Sequence, residues 1–127
     1  MSFFPAPSID TEKGNSMNAE IYTVNDVTIA KLLGTLDSSS AGETLKQLLP
    51  VAKSCSKLII DMSQVDFTFS AGIIMINSTY REITSHAGHM ILVGINRDVE
   101  RTLEITGTLH NFTVYRTLDE GLLAMNL

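Results

Sequence analysis

Between Lys57 and Ile76 two apolar runs meet across a short polar bend, and one serine, Ser70, stands at the junction. The first run, Leu58-Ile59-Ile60, has the character of a strand covered on both faces and ends at Asp61. In the second, Ile73, Ile76, Tyr80 and Ile83 recur at the three- and four-residue steps of an amphipathic helix. Ser70 opens that helix, at the place of an N-cap. Its hydroxyl is expected at the carboxyl end of a strand, where open α/β sheets place their sites. If this serine acts, the chain works as a switch.

Length and composition narrow the options. With 127 residues, 44% of them hydrophobic, the chain can build one packed core, and general disorder is excluded. A formal net charge of -5 argues against non-specific binding to nucleic acid or an anionic membrane surface, both of which need a basic face. No apolar run approaches the roughly 20 residues that cross a bilayer, so neither nucleic acid nor membrane is an expected partner. A cytoplasmic setting fits this balance. The lone Cys55 has no partner for an intramolecular disulfide and reads as a small residue near the start of a strand. Residues 1–16 hold two prolines and a glycine without a sustained period, and lack the basic start and apolar core of a secretory signal. They read as a flexible extension to one domain over residues 17–127, with Met17 an equally sensible first residue.

From Glu20 onward strand and helix patterns alternate. Ile21 to Val24 and Val27 to Leu33 are β-rich runs about an Asn25-Asp26 turn, and Gly34 to Asp37 closes the second. Ser38, Ser39 and Ser40 each offer an N-cap for a helix through Ala41, Leu45, Leu48 and Leu49, which Pro50 should kink or end. A strand over Lys57 to Asp61 follows, then the helix from Ser70 to about Ala87 with Gly88 as its left-handed terminator. Met90 to Val93 gives another covered strand. Asn96 caps a helix that turns Val99, Leu103 and Ile105 inward and stops at Gly107. Phe112 to Tyr115 forms the last strand, and Thr117 caps a final helix through Leu118, Leu122 and Leu123. The order β-β-α-β-α-β-α-β-α predicts an α/β fold, a hairpin start followed by right-handed crossovers. Its sheet should be mixed but largely parallel, with four or five strands and about four helices.

Three blocks of residues carry a family resemblance. They are Gly34 to Asp37 with Ala41 and Leu45; Leu58 to Asp61 through Val65-Asp66-Phe67 to Ser70-Ala71-Gly72; and Gly94, Val99, Leu103, Thr106-Gly107 and Phe112. In this order and spacing the chain resembles the STAS family, and within it the free-standing bacterial anti-sigma factor antagonists. The resemblance implies a single STAS-like domain that switches partners and is not an enzyme. In such antagonists the unmodified form binds an anti-sigma factor that is also a serine protein kinase. Phosphorylation releases the antagonist, and a serine phosphatase resets it. The family's acceptor motif is Asp-Ser-Ser/Thr-Gly at the start of the second helix. It falls here on Phe69-Ser70-Ala71-Gly72, with Ser70 as acceptor, Phe69 in place of the aspartate and Ala71 in place of the second hydroxyl. The resemblance also implies a partner-binding surface of Asp37, Ser38, Phe69, Ser70, Ala71, Gly72 and Ile74.

Each of these residues also has a plainer reading. Ser70 can be an N-cap and nothing more, and Asp37 a cap of the first helix. Asp61 reads as a strand-end residue that satisfies loop amides. Ile74 lies one helical turn beyond Ser70 and shares its face. His86 and His89 have no third ligand nearby, and Gly88 should break the helix between them, so no metal or other cofactor is expected. Ser70 sits in no Gly-x-Ser-x-Gly elbow, which speaks against a serine hydrolase. The alternative is a STAS docking module that takes no phosphate, part of a larger signalling or lipid-transport assembly. Monomer and dimer both stay open.

Overall fold

The computed structural model describes residues 19–126. The expected extension over residues 1–16, and Met17, lie outside the described residues. Ten elements follow in order: β1 (Ala19–Val24), β2 (Val27–Leu36), α1 (Ser38–Ser54), β3 (Lys57–Thr68), α2 (Ser70–Thr84), β4 (His89–Val93), α3 (Arg97–Ile105), a 3₁₀ turn (Leu109–Asn111), β5 (Val114–Tyr115) and α4 (Leu118–Met125). The five strands lie in the order β1-β2-β3-β4-β5, with β1 antiparallel to β2 and every other pair parallel. Asn25 makes the hairpin turn at a left-handed φ of 58°, a conformation asparagine tolerates.

Alternation along the strands explains the layering. Ala30, Leu32, Leu58, Ile60, Met90 and Leu92 point to one face, where Ala41, Leu48 and Ala52 of α1, Ile73, Met75, Ile76 and Ile83 of α2, and Val99 and Leu103 of α3 cover them. Val27, Ile29, Ile59, Ile91 and Val93 point to the other, where Leu118, Leu122 and Met125 of α4 pack. A strand buried on both faces reads as an unbroken apolar run, as β4 does.

Several local expectations are corrected. The first helix takes Asp37 as its N-cap, ahead of the three serines, and runs on through Pro50 to Ser54. The ring removes one hydrogen bond, but Leu48 and Ala52 on either side are fully buried and hold the helix to the core. Strand β3 continues past Asp61 to Thr68, so Asp61 lies inside the strand, buried, accepting from the Ser63 amide at 2.9 Å. Helix α2 stops at Thr84, and the left-handed residue behind it is Ala87 (φ 68°), not Gly88. The Gly88 amide reaches back to the Ile83 carbonyl at 2.9 Å; a Cβ there would lie 2.6 Å from Ile83 Cγ1, so space demands this glycine. Ile105 turns outward, 77% exposed, and Leu123 is likewise exposed. The last strand shrinks to Val114–Tyr115 because the chain first forms the 3₁₀ turn.

Candidate functional site

The site grows from the pairing of β2 with β3. Leu36 and Thr68 are partners across that parallel pair, so the residues that follow them, Asp37-Ser38 and Phe69-Ser70, leave the sheet side by side. Each pair opens a helix, and the N-termini of α1 and α2 therefore stand together at the carboxyl end of the sheet. The Phe69 amide donates to the Leu36 carbonyl at 2.9 Å and pins the two exits. Gly72 completes the junction. A Cβ on it would collide with the Thr68 hydroxyl and lie 2.7 Å from Leu36 Cβ, so only glycine lets α2 approach β2 this closely.

The two helix starts are finished differently. At α1, Asp37 Oδ1 accepts from the Ser39 and Ser40 amides at 3.0 and 2.9 Å, and Ser40 Oγ accepts from the Asp37 amide at 2.9 Å. This is a capping box, with serine in the place usually held by glutamate or glutamine. The Ser40 amide above all holds the Asp37 carboxyl below the usual carboxylate range, so it is ionised at neutral pH. Helix α2 has no such cap. Its N-cap is Phe69, which carries no oxygen, and Ser70 is the first helical residue. The N-cap expected at Ser70 is thus displaced by one position. Among the described residues no side chain answers the Ser70 and Ala71 amides, while Gly72 and Ile73 donate to the Phe69 carbonyl. A helix start with free amides and no acidic residue in its first turn favours an anion.

Around the exposed Ser70 lie the large apolar side chains of Phe69, 53% exposed, and Ile74, 63% exposed. The Phe69 ring packs edge-on against Phe67 at 4.9 Å between centroids, which stiffens the patch. Ile74 follows Ser70 by one turn on the same helix. The structure therefore brings Asp37, Ser38, Phe69, Ser70, Ala71, Gly72 and Ile74 to one end of the sheet, with Gly72 beneath the surface. Phe67 was not among the expected residues. Its signal is the Phe67-Thr68-Phe69 alternation, legible only once the strand is known to continue past Asp61. His86 lies apart, its Nε2 2.7 Å from the Ala52 carbonyl, joining the C-terminal parts of α1 and α2.

A family model for the STAS domain matches residues 18–121, most of the chain. The chain belongs to the STAS domain family. Solved structures agree on the fold. A candidate anti-sigma factor antagonist from Thermotoga maritima is 24% identical, with a TM-score of 0.81 over 88% of this chain and 97% of its own. An anti-sigma factor antagonist from Mycobacterium paratuberculosis is 26% identical, with a TM-score of 0.78 over 86% and 93%. The Bacillus cell fate determinant SpoIIAA, in its phosphorylated form, is 18% identical, with a TM-score of 0.66 over 82% and 96%. Phe69, the α2 N-cap, thus offers exposed apolar surface where a capping side chain would offer an oxygen.

Proposed function

We propose that this STAS domain is an anti-sigma factor antagonist that works by partner switching. Unmodified, it docks an anti-sigma factor with serine kinase activity through Asp37, Ser38, Phe69, Ser70, Ala71 and Ile74, with the buried Gly72 supporting them from below. Phosphorylation of Ser70 by that partner ends the contact, and a serine phosphatase restores it. The domain is the substrate in this cycle, performs no catalysis of its own, and works in the cytoplasm beside the transcription machinery. The observation that carries the reading is the exposed Ser70 at the uncapped start of α2, flanked by exposed Phe69 and Ile74.

Magnitudes decide how such a switch would act. Fully burying a Phe or Ile side chain contributes about 1.5–3 kcal/mol, and roughly half of each is available here. Docking on this patch thus gains about 1.5–3 kcal/mol from the two side chains together. A phosphate adds about 1.5–2 negative charges in the middle of it, and an unpaired ion taken out of water costs several kcal/mol. The charge outweighs the apolar gain. The α2 N-terminus meanwhile tolerates the added charge, so the fold is undisturbed while the partner's side of the contact leaves it unpaired.

Phe69 at the motif aspartate favours a second reading, a docking module that takes no phosphate. Incubation with ATP and the serine kinase encoded in the genomic neighbourhood, followed by intact mass and peptide mapping, separates the two. One phosphate on Ser70, absent from Ser70→Ala, is the expected result; an unchanged mass selects the docking module.

A further inference from the structure

At the edge of the sheet opposite β1, the chain forms a groove of about 660 Å³ between α3, the 3₁₀ turn and β5. Ile95, Leu109, Phe112 and Val114 give it an apolar lining; Glu100 and Glu104 reach it from α3, and Arg116 from beyond the end of β5. It shares no residue with the Ser70 surface.

The backbone along this groove is unpaired. Leu92 and Gly94 of the β4 side donate to the carbonyls of Thr113 and Tyr115, at 3.0 and 3.1 Å. Val114 lies between those two residues, so its own N–H and C=O face away from β4, toward the open edge. Such an edge is a template for one more strand, and Ile95, Leu109 and Val114 beside it remain only partly buried. The charges here are also unanswered. Glu100 and Glu104 are one turn apart on one helix face and repel each other, with no cation at salt-bridge distance among the described residues. Arg116 at the other element would repel a cation, so the groove has a polarity along its length.

We propose that the β5 edge accepts an extended segment of a partner protein that carries apolar and basic side chains two positions apart, on the one face turned to α3. Its backbone pairs with Val114, its apolar side chains enter among Ile95, Leu109 and Val114, and its Lys or Arg side chains meet Glu100 and Glu104. Main-chain bonds supply affinity in this mode and the side-chain sites supply selectivity. The acidic wall speeds encounter with a basic segment and makes it salt-sensitive.

The test is a selection of short displayed peptides on the wild-type domain, counter-selected on Glu100→Lys/Glu104→Lys, with the winners synthesised and titrated by NMR. The winners should carry apolar residues and Lys or Arg two positions apart, on one face of the strand, and shift the amide signals of Val114, Glu100 and Glu104 while leaving Ser70 and Ile74 unmoved. Affinity should fall at least about tenfold in the charge-reversed variant and in Val114→Pro. The proline removes the outward N–H together with the valine side chain of the lining, and spares the bonds that the Thr113 and Tyr115 carbonyls accept from β4 and Gly94. The charge reversal lies on the surface, so one variant folds whatever the proline does; circular dichroism checks both. No enrichment, acidic winners, or shifts centred on Ser70 would overturn the proposal. So would a wild-type dimer in sedimentation that Glu100→Lys/Glu104→Lys dissociates, because a second copy would then own the edge.

Discussion

Phe69 stands where a helix usually receives an oxygen, and the Ser70 and Ala71 amides of α2 go uncapped in consequence. A carboxylate at this position would answer them. Phe69→Asp should therefore raise stability by about 0.5–2 kcal/mol in urea denaturation, while weakening docking by removing the exposed ring. Loss of stability on that substitution would show that the ring is held by packing and not kept for contact. Asp37 is the opposite case, a complete cap on the neighbouring helix. Hydrogen bonds from the Ser40 and Ser39 amides lower its folded-state pKa below its unfolded value. The folded state thus binds its proton less readily, and Asp37 adds stability above the unfolded value, near 3.9. That contribution is lost as pH falls through the lower folded value. Asp37→Ala should lower Tm at pH 7 and leave a smaller loss of Tm on acidification below about pH 4, followed by calorimetric scans. An unchanged acid slope would place the stabilising charge elsewhere.

The decisive element is the exit of β2 and β3 into their helices. At two register shifts, opposite Lys31–Leu33 and opposite Gly34–Leu36, β3 carries one extra residue each time, so ten residues of β2 keep pace with twelve of β3 and both strands end together. Gly72 then lets α2 settle against Leu36. Gly72→Ala should cost about 1–3 kcal/mol by overpacking, and should weaken partner docking beyond that by moving Ser70; wild-type stability would mean the junction yields freely. Element order, hairpin, parallel pairing and the position of Ser70 were legible because periodicity and turn residues report them locally. The end of β3 was not, because Ser63, Gln64 and Asp66 break the apolar run although pairing with β2 keeps them extended. Ile105 follows a helical period yet faces solvent, since the pattern cannot say where a helix overhangs the sheet. The β5 groove was invisible for a related reason: it arises where a short strand leaves α3 half covered, a matter of packing between distant segments.

At the scale of the whole molecule, three helices cover one face of the sheet and α4 the other, and the Ser70 surface sits on the rim with its support buried below. A charge placed there changes what the rim can bind and leaves the core alone. No helix among the described residues is long and apolar enough to cross a membrane. The most direct measurement is calorimetric titration of the proposed kinase partner with wild-type, Ser70→Ala and Ser70→Asp domains, each first shown to melt cooperatively. The aspartate should reduce affinity by about tenfold or more, at least 1.4 kcal/mol, while the alanine binds as wild type does. Equal affinity for all three would remove Ser70 from the switch.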